Sequence, residues 1–402
     1  RVRFMAQFEL VRRGKKQLLL RLAQDPTATK LARLHAIWGA GQLRERDIER
    51  VLGDEALDAD LRAAALRVIG DIHRREAWRA YIDSNLSSAA AALDSSSAVE
   101  RRAGAEALAV GLEKVDPECK GLHERVFALL EEFGDSDLAL RNALVRVLVR
   151  MAPRGWVTHA DDSRDYSWDL AHAREHPSVR ARSGAVVALR RLRDAAIGDF
   201  LRDEDLRVAT EAVRGIYDEQ ITEAMPALAK LIEREDLNTT ALVRRVLHAN
   251  FRLGARENAE RLAEFATREN ADELHRWEAI DLLAKWTEPP GRDGFTGEWW
   301  PLPKRDGAFL PQLVESMQAA GIEKAPKRVV EAWIELAERC NASVVGPALV
   351  ARACDTDTDA NVRAKALRAA SVVAPAALEP ALPQLAVDAE ATVRAQALRA
   401  IQ

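Results

Sequence analysis

The sequence is poor in cysteine and in aromatic residues, and aromatics make up 5% of the 402 positions. Its three cysteines, Cys119, Cys340 and Cys354, form no C-x-x-C pair and no C-x-x-C-H motif, so the chain has no attachment site for a c-type haem. Buried small hydrophobic residues are the default interpretation of all three. A disulfide between Cys340 and Cys354 is the alternative for those two residues if they lie on facing helices.

The chain also lacks an excess of charge of either sign and lacks long apolar runs. It has 59 Lys and Arg residues against 63 Asp and Glu residues, a net charge of −4, so the basic footprint of a nucleic-acid-binding protein is absent. No stretch approaches the roughly 18 consecutive apolar residues of a membrane-spanning helix. We therefore predict neither nucleic-acid binding nor membrane insertion. The sequence has no signal peptide or initiating methionine, and both ends fall inside repeats, so we expect a segment of a longer protein.

What the chain does contain is a recurring phrase: an acidic or turn residue, then Val-Arg or Leu-Arg, then alanines and leucines at helical spacing. In the two clearest copies, at 359–369 and 390–400, Arg363 and Arg394 are 31 residues apart, the spacing of stacked helical hairpins. Other copies lie at 60–66, 178–185 and 205–212, with looser ones at 2–6, 31–36, 99–103 and 138–143.

Each part of the phrase has a physical role in a helical hairpin. Alanine combines high helix propensity with a small side chain, which lets neighbouring helices approach closely. The acidic residue can cap the helix that follows it, as expected for Asp359 at the end of the acidic run 355–359. For the arginine we predict an ion pair with an acidic residue of an adjacent repeat. The sequence therefore predicts an all-α fold, a right-handed superhelix of about ten hairpins forming a single HEAT-like solenoid over residues 1–402.

Two irregular segments interrupt the repeats, near 152–176 and near 287–308. The second is rich in Pro and Gly and contains the adjacent pair Trp299 and Trp300, with Arg292, Lys304 and Arg305 close by in sequence. Tryptophan and arginine are enriched at interface hot spots, so these five residues are the candidate partner-binding residues. Such a loop either folds back on the solenoid or meets a partner, and the favoured interpretation is fold-back, a structural plug with both rings buried against the neighbouring repeats. If the loop meets a partner, at least one ring is exposed, and we expect Trp300 to be the anchor and Trp299 to contact the partner.

The residues that could carry chemistry do not form a known catalytic or metal-binding motif. His159, Asp161, Asp162 and Asp165 could hold a hard cation, but they lack the Gly and Glu positions of an EF-hand, so a solvated loop is favoured. His172 and His176 lack the Glu of an H-E-x-x-H motif, and Pro177 ends any helix there. We therefore predict no catalytic residue, no cofactor and no metal in this chain.

The phrase at 359–369 and 388–400 resembles HEAT repeats of the PBS-lyase type. The segments 2–10, 32–43 and 286–306 resemble, more specifically, the HEAT region of bacterial membrane-bound dehydrogenase proteins, also called PVC-type haem-binding proteins. In that family a sugar-dehydrogenase-like β-propeller precedes the HEAT array and a c-type cytochrome domain follows it. The resemblance implies an extracytoplasmic, periplasmic setting and protein domains of the same parent chain as partners. No catalytic or haem-binding residue carries over to this chain, and 34–38, which matches a family motif, is interpreted as packing.

Two functional hypotheses follow. The first is a non-catalytic scaffold and protein-interaction module that spaces the propeller and the cytochrome. The alternative is a lyase-type or hydroxylase-type module, built on the same repeats, that acts on a bound chromophore or protein. The alternative requires a concave surface with clustered His and Glu residues, or an acidic residue that holds a chromophore. We predict that no inward-facing His–Glu pair exists at repeat spacing.

Overall fold

The protein is all-α, as predicted. The computed structural model describes residues 2–44, 46–53, 57–76, 86–112, 121–152, 170–234 and 239–401. Within these ranges the regular structure is helical, and an isolated antiparallel bridge joins Arg292 to Trp299. Contacts divide the chain into two compact units, Arg1–Gly215 and Ile216–Gln402. The single continuous domain stays a prediction.

The first unit is built from paired helices. They are α1 (Val2–Arg12), α2 (Lys16–Gln24), α3 (Lys30–Gln42), α4 (Glu49–Leu52), α5 (Ala59–Glu76), α6 (Ser87–Ala91), α7 (Ala98–Gly111), α8 (Leu122–Phe133), α9 (Leu138–Met151) and α10 (Val179–Leu192). The boundary between the units falls within α11 (Leu206–Asp218).

The second unit repeats the same construction. Its helices are α12 (Met225–Lys230), α13 (Thr240–Leu253), α14 (Arg256–Thr267), α15 (Glu273–Ala284), α16 (Leu310–Ala319), α17 (Lys327–Arg339), α18 (Gly346–Cys354), α19 (Ala360–Val373), α20 (Pro375–Leu378), α21 (Leu382–Leu385) and α22 (Ala391–Ile401).

The packing order is that of an array of stacked helical hairpins. Within hairpins, α2 packs on α3, α8 on α9, α14 on α15 and α18 on α19. Between hairpins, the second helices form a continuous row in each unit: α1, α3, α5, α7, α9 and α10 in the first, and α13, α15, α17, α19 and α22 in the second. Each hairpin therefore buries its apolar stripe against its neighbours, which is how solenoids are stabilised.

Small residues set the distance between helices in the row. A side chain at Gly70 on α5 would place its Cβ 2.6 Å from the Cα of Ala107 on α7. The two backbones are thus in near contact at this point. The alanine-rich phrase is the sequence counterpart of this close packing.

The arginines of several hairpins bind the end of the preceding helix. In each, Nε donates to a backbone carbonyl ten residues earlier: Arg33 to Ala23 at 2.8 Å, Arg276 to Ala266 at 2.8 Å and Arg363 to Ala353 at 3.0 Å. The last carbonyls of a helix have no partner within it, so these bonds satisfy groups that would otherwise be left unpaired. This role was not predicted.

The predicted ion-pair ladder is confirmed at some repeats and wrong at others. Buried Arg363 pairs with Asp388 of the following hairpin, and Arg180 pairs with Asp135 of the preceding one at 2.7 Å. Arg394 instead donates to the carbonyl of Asp388 at 2.7 Å, within its own turn. Arginines at this position thus bind whichever acceptor, carboxylate or carbonyl, the adjacent turn offers.

Two smaller predictions concern caps and thiols. The Asp359 side chain accepts from the backbone N–H groups of Asn361, at 2.9 Å, and Val362, at 3.3 Å, which confirms it as a helix cap. Cys340 and Cys354 are both partly buried and unpaired in the structure. Cys119 lies outside the described residues.

Candidate interaction site

The second irregular segment, 287–307, joins α15 to α16, and we call it the Trp loop. Its prolines at 289, 290, 301 and 303 lack an N–H group and prevent a continuous helix. The centre of the loop folds into a short hairpin-like turn. The N–H of Asp293 donates to the carbonyl of Glu298 at 2.9 Å, and that of Trp300 donates to the carbonyl of Gly291 at 3.1 Å. These two bonds flank the bridge between Arg292 and Trp299.

Asp293 is the buried attachment point of the Trp loop. Only 5% of its surface is exposed. Its carboxylate accepts from the Tyr217 hydroxyl at 2.6 Å and from Arg252 Nη1 at 3.1 Å. It also accepts from the backbone N–H groups of Phe295 at 3.0 Å and Thr296 at 2.8 Å. One side chain therefore holds both the turn and the helices beneath it.

The pKa values of Asp293 and Tyr217 reflect the burial of both residues and the hydrogen bond between them. Desolvation acts to raise the pKa of Asp293, but the hydrogen bonds from Tyr217 and from the backbone N–H of Thr296 outweigh it, and the pKa lies below its ordinary value. Desolvation and the negative charge of Asp293 raise the pKa of Tyr217. The carboxylate is thus the charged partner and the phenol the proton donor.

Trp300 is held against α13. The guanidinium carbon of Arg252 lies 3.2 Å from the centre of its ring, and Arg252 Nη2 donates to the carbonyl of Trp300 at 2.9 Å. The Tyr217 ring makes an edge contact at 5.9 Å. A cation above an aromatic face is an attractive arrangement, and it is stronger when shielded from water. The position of Trp300 as the anchor of the loop is confirmed.

Trp299 has the opposite environment. Its side of the turn faces solvent, and 69% of the residue is exposed. The ring lies across Gly291, where a Cβ would come within 2.4 Å of it. Arg292, its bridge partner, is exposed as well and donates from Nη1 to the carbonyl of Gly297 at 3.1 Å. The favoured interpretation of the loop, a plug with both rings buried, is therefore wrong.

The remaining two candidate residues, Lys304 and Arg305, also differ in their exposure to solvent. Lys304 is exposed and pairs with Glu288 at 2.7 Å. Arg305 points inward, where its guanidinium carbon lies 4.7 Å from the centre of the Phe251 ring and 4.8 Å from that of Trp286. Burial and the nearby charge of Arg252 lower the pKa of Arg305 to about 10. Arg305 is thus part of the base of the loop, which corrects its assignment as a flanking surface charge.

A buried His–Glu pair lies beneath the same loop, so the prediction that no such pair exists is wrong. His248 Nε2 lies 3.0 Å from Glu278 Oε1, and the two residues are 30 positions apart, one repeat. Arg244 binds the same carboxylate through Nε at 2.9 Å and Nη2 at 2.8 Å. Burial acts to raise the pKa of Glu278, but the hydrogen bonds from His248 and Arg244 outweigh it and lower the pKa. The signal in the sequence was a His on α13 and a Glu on α15, the next helix of the row, about one repeat apart.

This pair supports the loop. A Cβ at Gly294 would lie 3.0 Å from His248 Cε1, so the loop backbone covers the imidazole. Arg244 and Arg245 lie 4.9 Å and 4.5 Å from the centre of the Phe295 ring. With the Glu278 charge balanced by Arg244, the arrangement is that of a structural ion-pair network beneath the loop.

The metal candidates can be placed only in part. No group of three His, Cys, Asp or Glu side chains within the described ranges is arranged to hold a metal ion. His159, Asp161, Asp162 and Asp165 lie outside those ranges, as does most of the first irregular segment. Residues Leu170–Glu175 form a 3-10 helix in which His172 is exposed. His176 Nδ1 accepts from the N–H of Ser178 at 3.1 Å.

An aromatic patch on the first unit was not predicted. Phe4, Phe8 and Trp38 are all partly exposed, with Trp38 at 41%. The ring centres of Phe4 and Phe8 are 4.7 Å apart, and His35 contacts Trp38 edge-on at 5.3 Å. In the 34–38 segment the packing interpretation is confirmed for fully buried Ile37, whereas Trp38 also faces solvent.

None of the described helices is both long enough and apolar enough to cross a bilayer.

Comparisons with known proteins find solved structures that are similar to this chain but no sequence family that it matches. No sequence-family profile matches the chain, and no curated protein matches it. Importin beta aligns over 96% of this chain and 59% of its own, at 12% identity and a TM-score of 0.43. Kap121p aligns over 96% of this chain and 40% of its own, at 14% identity and a TM-score of 0.36. Human deoxyhypusine hydroxylase aligns over 69% of this chain and 98% of its own, at 16% identity and a TM-score of 0.25. The chain thus spans less than two thirds of importin beta and of Kap121p, and the fold assignment rests on the packing described above.

Proposed function

We propose that this chain is a non-catalytic scaffold that binds protein partners, with the Trp loop as its contact surface. The observation that carries the proposal is the contrast between neighbouring tryptophans. Trp300 is clamped by Arg252, whereas Trp299 is 69% exposed on the same short turn. A large aromatic ring displayed on a braced turn is typical of an interface hot spot.

The bracing lowers the cost of binding. Asp293 is bonded to Tyr217, Arg252 and the loop backbone, so the loop has little conformational freedom left to lose when a partner docks. Ordering a loop on binding offsets part of the interaction energy, and a loop that is already ordered avoids that cost. The helical array supplies the fixed base, and the irregular segment supplies the contact.

We further propose that the partners are domains of the same parent protein, a sugar-dehydrogenase-like propeller and a c-type cytochrome, in a periplasmic setting. Support for this finer proposal comes from the sequence resemblance of segments 2–10, 32–43 and 286–306. The corresponding role is to space and orient the two redox domains. Sequencing the flanking coding regions tests it: a propeller upstream and a C-x-x-C-H motif downstream are expected, and flanks that encode neither would contradict it.

The interaction itself is tested with those neighbouring domains, produced separately and titrated against the chain. Because hot-spot truncations cost about 2 kcal/mol or more, Trp299→Ala should weaken binding by about thirtyfold or more. Lys327→Ala is the control, since it removes an exposed side chain on α17, outside the Trp loop. Equal affinities for wild type and Trp299→Ala would refute the Trp loop as the contact surface.

The alternative, a lyase-type or hydroxylase-type module, makes a different prediction. Such an activity would use the His248–Glu278 pair, and a hydroxylase would bind metal at stoichiometric level. Elemental analysis of the purified protein separates the two hypotheses. We expect no retained metal, because Arg244 already occupies the Glu278 carboxylate. One metal ion per chain, lost on Glu278→Gln, would favour the enzyme.

A further inference from the structure

The outward side of the Trp loop combines an apolar surface with a positive charge. Arg292 and Trp299 are bridge partners on the turn and are both exposed. Asp293 and Trp300, their neighbours in sequence, point into the protein. Successive side chains of an extended segment alternate between its two faces, so the inward anchoring of one pair places the other pair toward solvent.

The other charged groups at this surface already have partners. Lys304 pairs with Glu288, and the Glu298 carboxylate accepts from Gln220 at 3.3 Å. Arg292 differs from Lys304 in that it forms no ion pair with any described carboxylate, and its side chain donates a single hydrogen bond, to the carbonyl of Gly297. A guanidinium has five N–H donors in a planar fork, so most of its capacity is directed at solvent.

We infer that the partner presents a carboxylate side chain close to an apolar side chain on one exposed protein segment. The apolar group would lie on the Trp299 ring, and the carboxylate would bind the Arg292 guanidinium in the two-pronged geometry that arginine favours. This inference rests on the proposed function and deepens it, because it gives the chemistry of the segment that the scaffold recognises. Because the two side chains are opposed across one turn, we expect the carboxylate and the apolar group to lie within a few residues of each other on that segment.

The inference is tested with short synthetic peptides of defined sequence on the full chain. Each peptide has a central Leu, Met or Pro, with Asp placed one, two or three positions away. Matched versions replace the Asp by Asn or by Lys. Affinity is measured from the fluorescence of a dye on the peptide, at low and at high salt. The preference among the Asp, Asn and Lys peptides is measured on the wild-type protein, so this result does not depend on whether any protein variant folds.

We expect the Asp peptides to bind about two- to fivefold more tightly than the Asn peptides, the range of an exposed ion pair. The Lys peptides should bind more weakly than both, and the differences should shrink at high salt because exposed charges are screened. In Arg292→Ala the preference for Asp over Asn should disappear, whereas Lys327→Ala, which removes an exposed and paired cation on α17, should retain it. Trp299→Ala should weaken all the peptides alike.

Three outcomes would overturn the inference: equal binding of Asp and Asn peptides, preference for Lys, or no binding of any peptide. The proposed function has its own test in the titration with neighbouring domains. If Trp299→Ala weakens that interaction while Arg292→Glu leaves it unchanged, the scaffold survives and the acidic partner segment is refuted. If neither variant changes it, the Trp loop is refuted as well.

Discussion

Replacing Asp293 by Ala tests whether the Trp loop is held by a single buried carboxylate. The change removes the acceptor for the Tyr217 hydroxyl, for Arg252 Nη1 and for the backbone N–H groups of Phe295 and Thr296. It leaves Arg252 as a buried cation without its carboxylate. We expect the loop to detach locally while the helical array stays folded, because α13 and α15 also pack on each other.

The expected magnitude follows from the bonds lost. A hydrogen bond that involves a charged group contributes about 1.5–3 kcal/mol, and an unsatisfied buried donor costs about 1–3 kcal/mol. The bonds to Tyr217 and Arg252 alone therefore give a loss of about 4 kcal/mol in the free energy of loop opening. Asp293→Asn keeps the shape and one acceptor oxygen, so about half of that loss is expected. Lys304→Ala removes only an exposed pair and should change the free energy by less than about 1 kcal/mol.

Hydrogen exchange measured by mass spectrometry gives the direct readout. In Asp293→Ala the peptides covering 287–307 should exchange about a thousandfold faster, since each 1.4 kcal/mol corresponds to a factor of ten. Peptides from α17 and α19 should keep their wild-type rates and serve as the internal control. Unchanged protection of 287–307 in Asp293→Ala would refute the assignment of Asp293 as the attachment point.

The pH dependence supplies an independent check on the same residue. The folded-state pKa of Asp293 is depressed, so its stabilising contribution is fully present above the ordinary Asp value of about 3.9. That contribution is lost as the pH falls through the lower folded-state value. Loop protection in the wild type should therefore decrease below about pH 4, and this part of the decrease should be absent in Asp293→Ala. Protection that is independent of pH would show that the charge of Asp293 has no role.

Three further outcomes are expected elsewhere in the chain. Arg363→Ala should lower the free energy of unfolding by about 3 kcal/mol in urea denaturation, because it leaves the largely buried Asp388 carboxylate without its arginine. A loss below about 0.5 kcal/mol would contradict this. Gly70→Ala should lower the free energy of unfolding by about 1–3 kcal/mol through overpacking. Gly53→Ala is the control and should be nearly neutral, because the nearest atom to the added Cβ lies 3.5 Å away. Equal thermal stability of the two variants would refute the close contact at Gly70. Burial raises the pKa of Cys340 to about 11. Its thiol should therefore react slowly with iodoacetamide at pH 8 in the folded protein and quickly after unfolding. A fast reaction in the native state would contradict its burial.

The sequence predicts the repeat array well because the array depends on local chemistry. Helix caps such as Asp359, the alanine stripes and the breaks near 287 and 309 follow from propensities and turn residues, which act within a few positions. The partners of the arginines were predicted less well. An arginine reaches across a turn, and the carbonyl of Ala353 and the carboxylate of Asp388 are equally suitable acceptors for Arg363. Spacing alone does not distinguish them.

The exposed part of the candidate site was one of the two interpretations drawn from the sequence, whereas the contacts at the base of the Trp loop were not predicted. An exposed Trp299 beside an anchored Trp300 follows from the alternation of an extended segment. The base depends on contacts between residues distant in sequence: Tyr217 and Asp293 are 76 positions apart. The inward position of Arg305 and the pairing of His248 with Glu278 have the same origin. They are determined by which repeats become neighbours of the loop, which the sequence of the loop does not specify.

The distribution of buried charge indicates why the loop, and not the repeats, is the place to look for function. In a repeat array each hairpin needs only its neighbours, so a plain connection between α15 and α16 would satisfy the fold. Instead, Asp293 of the loop is largely buried, as are Arg252 and Glu278 on the helices beneath the loop, and burying charged groups is costly even when they are paired. Stability alone does not account for such a network, because apolar residues of similar size would pack a connection at least as well. What the network does provide is a fixed orientation for Trp299 and Arg292, which is the property that the proposed contact with a partner requires.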